Sequence, residues 1–168
     1  MGNALKGKTA LVTGGGTGFG RSAAGLLAGE GAQVIITGRR QAVLDQAVAD
    51  IMAEGGAVVA RAMDMEKPDD VRALAAFALE QFGCVDILVN NAGHSSRIRS
   101  VRWIPEEEWD SVFNVNVKGP ALLTQALLPA MLEAGAGTVI TVSSMAAVSG
   151  GLLGGAAYGP AKAAVVNY

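Results

Sequence analysis

Short apolar runs alternate along the chain with longer stretches whose apolar residues recur at helical spacing. Thr9 to Val12 is an apolar run that ends at a cluster of glycines, and Gly18 to Glu30 reads as a helix stopped by Gly31. Gln33 to Thr37, rich in Val and Ile, predicts a second strand. Gln41 to Glu54 sets Leu44, Ala47, Val48 and Ile51 on one helical face before Gly55-Gly56. Ala57 to Met63 predicts a third strand, and Lys67 to Phe82 a helix with Pro68 near its start. Val85 to Val89 predicts a fourth strand and Thr138 to Val142 a fifth. Between them Pro105 opens a long helical region that reaches about Glu133, and a last helix starts near Ala156.

Strands alternating with helices of this length predict right-handed βαβ units and a doubly wound parallel sheet, an α/β fold. Residues 1–168 are enough for one domain with a real core. The chain is 51% hydrophobic but only 5% aromatic, which suits a sheet buried on both faces by closely packed helices. A net charge of −2 argues against a nucleic-acid partner. The first residues, Met1 to Lys6, form no apolar signal core, and Lys6 breaks the myristoylation pattern. No stretch is long and apolar enough to span a bilayer, so a cytoplasmic location without a membrane partner is expected. With one cysteine, Cys84, and one histidine, His94, neither an internal disulfide nor an ordinary zinc site is expected.

The glycines come first among the chemical signals. A strand that runs into Thr13-Gly14-Gly15-Gly16-Thr17-Gly18-Phe19-Gly20 and then a helix is an anion site. Backbone N–H groups point outward there, and bare glycine lets a pyrophosphate come close. The alternative is a purely structural β–α turn. The end of the second strand bears on which dinucleotide is held. A site for NAD normally has Asp or Glu there, but Ile36-Thr37 is followed by Gly38-Arg39-Arg40. A 2′-phosphate would be welcomed by a guanidinium, so NADP(H) is preferred with NAD(H) as the alternative. The two arginines otherwise read as a solvated helix start.

Tyr158 and Lys162 stand one helical turn apart on one face, near a helix start marked by Pro160. A free tyrosine titrates near pH 10, and lowering that by about three units takes roughly 4 kcal/mol of phenolate stabilisation. An ammonium group one turn away and the positive helix end both act in that direction. Alone, the pair reads as an ordinary surface Tyr/Lys pair. It is accompanied by Asp86-Ile87-Leu88-Val89-Asn90-Asn91-Ala92-Gly93 and by Ser143-Ser144, both at strand ends where a doubly wound fold places ligands. Asn114-Val115-Asn116-Val117-Lys118-Gly119 lies in the long helical region beside them.

These motifs, in this order and spacing from about Lys8 to Tyr168, resemble the short-chain dehydrogenase/reductase family, whose fold is Rossmann-like. The resemblance implies that Gly14, Gly16, Thr17, Gly18, Phe19 and Gly20 form the cofactor loop. It implies that Arg39 meets the adenosine phosphate, Asp64 and Met65 lie by the adenine, and Asn91, Ala92 and Gly93 line the ribose. It also implies that Asn90 helps brace the central sheet. Tyr158 is the implied acid/base, and Lys162 holds the nicotinamide ribose and lowers the tyrosine pKa. By the same resemblance Ser144 would steady the substrate oxygen, and Asn116 would position a water in a relay with Lys162. The implied reaction interconverts a carbonyl and a secondary alcohol of a small-molecule substrate. A non-catalytic dinucleotide-binding module, or an isomerase or dehydratase on the same scaffold, is the alternative.

Two departures stand out. Many members place the serine one residue nearer the tyrosine than Ser144, which lies fourteen before it. The glycine-rich loop from Gly150 can absorb the extra residue, with Ser143 left as a structural serine or exchanging roles with Ser144. Members also run to roughly 250 residues. The expectation is therefore that the C-terminal strands and the segment covering the substrate are absent, leaving Val139-Ile140-Thr141-Val142 as an unpaired sheet edge.

Smaller features complete the reading. His94 reads as a solvated loop residue, with contact to substrate as the alternative, Cys84 as a small core residue, and Trp103 and Trp109 as packing around a helix start. Glu106-Glu107-Glu108 suits a helix first turn, and the stretch from Gly150 to Ala157 reads as a flexible loop. The wide apolar arc from Ala121 to Met131 has surface to spare for a homodimer or homotetramer, as the resemblance implies.

Overall fold

Each of the five apolar runs becomes a strand in a computed structural model that describes residues 2–149 and 154–168. They are β1 (Thr9–Thr13), β2 (Gln33–Gly38), β3 (Ala57–Ala62), β4 (Ile87–Asn90) and β5 (Thr138–Thr141). All pairs are parallel, in the order β3-β2-β1-β4-β5. The helices are α1 (Gly18–Gly29), α2 (Gln41–Ala53), α3 (Pro68–Phe82), α4 (Glu106–Phe113), α5 (Gly119–Glu133) and α6 (Tyr158–Ala164). The order of strands reverses between β1 and β4, so the loops leaving these two strands part and open a crevice.

Period-two alternation divides the core. Leu11, Ile35 and Leu88 point to one face, where Val71, Leu74, Leu123 and Leu127 of α3 and α5 cover them. Val12, Val34, Ile36 and Val89 point to the other, under α1 and α2. On α1 the buried positions are Gly20, Ala24 and Ala28, a row of small residues four apart that lets the helix lie close to the sheet. At the other end of the strands, Asp86 ties three elements together. Its carboxylate accepts from the Thr9 N–H (2.8 Å) and from Lys8 Nζ (2.7 Å), and its carbonyl accepts from the Thr138 N–H (2.8 Å). Burial pushes its carboxyl upward, but the Lys8 ammonium and the Thr9 N–H outweigh this and hold it below the usual carboxylate range.

The long helical region from Pro105 is continuous but not uniform. A wide π-helical turn, Asn114–Lys118, separates α4 from α5. The sequence carries the cause. Pro120 has no N–H to give to the carbonyl four residues back, that of Asn116, and its ring crowds that carbonyl. α4 then packs on α6 through Val112, Ala157 and Ala161, whereas α5 packs on α3.

Other expectations meet a mixed outcome. β5 has one neighbour among the described residues, and Val139 and Ile140 on it are 39% and 47% exposed. Trp109 stacks on Phe113 inside the α4–α6 contact, but Trp103 is 65% exposed and lies against Arg102 rather than packing around the helix start. Cys84 is half-buried against the α3 side of the core. Glu106, Glu107 and Glu108 do occupy the first turn of α4. Residues 150–153 of the expected flexible loop lie outside the described residues, while Gly154 is buried. Among the described residues no helix is long and apolar enough to cross a membrane.

Candidate active site

The crevice at the β1/β4 divergence is a cleft of about 370 Å³. Thr13, at the end of β1, joins the two strands that bound it. Its Oγ1 donates to the Val89 carbonyl (3.3 Å) and accepts from the N–H groups of Asn91 and Ala92, both at 3.0 Å. The Asn91 amide donates to the Thr13 carbonyl at 2.9 Å. These bonds stretch Asn91-Ala92-Gly93 along the cleft wall.

The glycine loop forms the floor. Gly14 has φ +67°, and a Cβ there would stand 2.9 Å from Asn91 Nδ2. A Cβ on Gly20 would meet the Gly14 carbonyl oxygen at 2.3 Å, so the first turn of α1 reaches the loop only without a side chain. No side chain caps the start of α1, which leaves its first N–H groups for another acceptor. Gly14, Gly16, Thr17 and Phe19 line the cleft, Gly20 packs behind the loop against the Gly14 carbonyl, and Gly18 is exposed with φ +51°. Thr37, Gly38, Arg39 and Arg40 make the far wall, with no carboxylate at the end of β2. Asp64 and Met65 continue this wall, since the Met63 N–H just before them donates to the Gly38 carbonyl at 2.9 Å. The Asp64 carboxylate accepts from the Glu66 N–H at 3.1 Å through one of its oxygens.

A second group of residues stands just beyond Gly93. Lys162 is only 4% exposed. Its Nζ donates to the Val142 carbonyl at 2.7 Å and lies 5.8 Å from the centre of the Tyr158 ring. Burial pushes its ammonium below the ordinary lysine range. A Cβ on Gly93 would lie 3.5 Å from that Nζ and 2.5 Å from Asn116 Oδ1, so bare backbone here lets all three groups meet. The Asn116 amide donates to the carbonyls of Val112 and His94, each at 2.9 Å, while its Oδ1 is buried and without a partner among the described residues. Tyr158 heads α6, with its ring against Gly154, where a Cβ would fall 2.0 Å from Tyr158 Cδ1.

The two serines are separated by their bonds. Ser143 Oγ donates to the Lys162 carbonyl at 2.9 Å, which fastens the end of β5 to α6. Among the described residues Ser144 Oγ accepts from the Ala146 N–H at 3.2 Å and donates to none, which leaves its proton to give. Asn90 donates to Thr124 Oγ1 at 3.1 Å and so ties β4 to α5.

Sequence reasoning missed some of the wall. Thr37, buried with an Oγ1 that has no partner among the described residues, and Val43, Leu44 and Val115 all line the cleft. Thr37 and Val115 sit inside quoted motifs, but nothing in their residue types marks a site. His94 is half-buried on the cleft wall rather than a solvated loop residue, with Nε2 3.2 Å from Ser111 Oγ. Tyr158, Lys162 and Ser144 are not on the wall of this cleft; Gly93 is the link to them.

A dinucleotide suits what is present. The floor is glycine where a side chain would fill it, the helix start is uncapped, and the second strand ends without an acid. Comparison with known proteins bears on the same point. The family model described as short chain dehydrogenase matches residues 8–168. This chain belongs to the short-chain dehydrogenase family. It is 42% identical over 147 residues to dehydrogenase/reductase SDR family member 4 of Bos taurus, covering 88% of this chain and 53% of that protein. It is 41% identical over 149 residues to 2-dehydro-3-deoxy-D-gluconate 5-dehydrogenase of Bacillus subtilis, covering 89% and 58%. A crystal structure of a metagenomic short-chain oxidoreductase in complex with NADP superposes with a TM-score of 0.92 at 36% identity, covering 97% of this chain and 73% of that one. The chain thus spans about half the length of the curated relatives it matches.

Proposed function

We propose that this protein is an NADP(H)-dependent oxidoreductase that interconverts a carbonyl and a secondary alcohol. The observation that carries this reading is the buried ammonium of Lys162 set over the Tyr158 ring and against Gly93. Burying a cation is costly, and among the described residues one carbonyl, that of Val142, accepts from it.

The floor from Gly14 to Gly20 would hold the pyrophosphate, and Arg39 the 2′-phosphate. Asp64, Met65 and the wall from Asn91 to Gly93 would hold the adenosine half, with Tyr158 and Lys162 at the nicotinamide ribose. The dinucleotide, when bound, supplies or takes up a hydride. Tyr158 gives its hydroxyl proton to the substrate oxygen as charge grows there, and Ser144 donates a hydrogen bond to the same oxygen. Lys162 offsets the negative charge left on the phenol oxygen. Asn116 supports a route for the replacement proton, since its Oδ1 is unpartnered and its main-chain carbonyl has lost an α-helical donor to Pro120. The bound NADP of the metagenomic relative supports the choice of cofactor. Exposed Leu128 and Leu132 on α5 support association of copies through that helix.

NADPH consumption with a panel of small ketones and aldehydes, measured beside direct NADPH binding, tests the reading. Binding with turnover that Tyr158→Phe abolishes agrees with it. Binding without turnover identifies a non-catalytic module. Product formed without net oxidation of NADPH identifies an isomerase or dehydratase.

A further inference from the structure

The start of the tyrosine helix is held from outside. α6 is short, and its N-cap residue, Ala157, has no side chain with which to cap it. The support comes instead from the segment that leaves the cleft wall after Gly93. Ser96 Oγ accepts the Ala157 N–H at 3.1 Å, the Ser96 N–H donates to the Gly154 carbonyl at 3.0 Å, and the Ala156 N–H donates to the Ile98 carbonyl at 3.3 Å. Residues 96–98 and 154–157 are therefore laced together on both sides of Gly155. That glycine has φ +81°, and a Cβ there would fall 2.4 Å from Ser96 Cβ. Ser96 is 7% exposed, so its hydroxyl is bound to this task and not to solvent.

The other side of the segment is equally fixed. The N–H groups of Arg97 and Ile98 both donate to Glu108 Oε1, and the His94 carbonyl accepts from Asn116. A hydrogen-bonded path thus runs from the cleft wall at Asn91 and Gly93, through Ser96, to the residue that precedes Tyr158. The Tyr158 ring leans on Gly154, the residue whose carbonyl Ser96 holds.

We infer that Ser96 is a positioning residue that sets Tyr158 in register with the dinucleotide cleft. It rests on the reading of Tyr158 as the acid/base, but the contact it describes does not. Without the Ser96 oxygen, the buried Ala157 N–H loses its acceptor and the helix start loses its outer support. The phenol then stands in more than one place, whether or not a substrate is there to react.

The chain has two tyrosines, Tyr158 and Tyr168, so biosynthetic 3-fluorotyrosine gives two ¹⁹F resonances, assigned by Tyr158→Phe. In Ser96→Ala the Tyr158 resonance is expected to broaden and move toward the exposed Tyr168 position, and its response to added NADP⁺ to disappear. NADP⁺ affinity is expected to stay within about threefold, and kcat to fall at least about thirtyfold with a smaller change in KM, since misplacement costs rate more than binding. Ser96→Cys, of the same shape with a weaker acceptor, is expected to fall between, and it gives the reading if the alanine variant does not fold. An unchanged Tyr158 resonance in a folded variant overturns the inference. If the parent chain fails to bind NADP⁺ or to turn over, the functional reading fails, and the resonance without cofactor still decides the role of Ser96.

Discussion

Lys162 Nζ lies 5.8 Å from the centre of the Tyr158 ring and spends one proton on the Val142 carbonyl. The pair is held at one end of β5 and not merely along a helix face. Because Ser143 also binds the Lys162 carbonyl, both the side chain and the backbone of the lysine are fixed to that strand end.

Lys162→Met separates the cost of this arrangement from its use. Burial depresses the lysine pKa in the folded chain, so between the folded and the ordinary value the unfolded chain binds more protons. The parent chain therefore gains stability as pH rises through that window and carries the cost of a buried charge below it. Methionine has no such dependence. The melting temperature of the parent relative to Lys162→Met should climb as pH is raised from neutral toward 10, while activity in the variant is lost by at least about 100-fold. A difference that is flat with pH removes the buried charge from the account.

Gly93→Ala should damage the site with little loss of fold. The added methyl would stand 2.5 Å from Asn116 Oδ1, pushing apart the group that brings Asn116 and Lys162 to the cleft. Turnover is expected to drop by more than about tenfold, the equivalent of a little over 1.4 kcal/mol in the barrier. Circular dichroism and turnover measured together check this.

Gly20→Ala acts on binding. The methyl would meet the Gly14 carbonyl oxygen at 2.3 Å, and backbone cannot swing aside as a side chain can. NADPH affinity, read by fluorescence titration, should weaken by more than about tenfold. Unchanged affinity would mean that the loop does not cradle phosphate.

Arg39→Ala tests the choice between the two dinucleotides. A hydrogen bond to a charged group contributes about 1.5–3 kcal/mol, so the preference for NADP⁺ over NAD⁺ should fall by roughly 10- to 100-fold, with NAD⁺ affinity little altered. An equal loss for both would assign Arg39 to the shared part of the cofactor.

Ser143→Ala and Ser144→Ala should part company. The first removes a tie between β5 and α6 and should lower the melting temperature. The second leaves only a three-residue turn without its cap and should cut kcat more than stability. The opposite pattern would exchange the two roles.

The sheet was legible because its strands are short apolar runs punctuated by glycine and separated by periodic helices, and each of the five forms where the pattern puts it. The glycine loop on the cleft floor is legible for a similar reason, since glycine is a signal of close backbone approach. Contacts made at long range were not. The π-helical turn depends on one proline acting on a carbonyl four residues back, in a stretch that otherwise reads as uniform helix. His94 reads in sequence as a solvated residue because nothing next to it predicts Ser111 as its neighbour. Ser96 carries no local signal, and its partner Ala157 lies 61 positions away. Trp103 shows the reverse error: a large apolar side chain near a proline invites a packing role, yet it stands in solvent.

The widened turn at Asn114–Lys118 gives one continuous rod two allegiances. One residue beyond the α-helical count advances a helix's facing direction by about 100°, so the part before the turn looks toward Tyr158 and the part after it toward the sheet's own cover. Shortening the chain by a single residue there would turn one part of the rod by that angle against the other and misdirect everything on one side of it. The stretch is thus intolerant of length change even where its individual side chains are replaceable, a constraint that substitution scanning would never reveal.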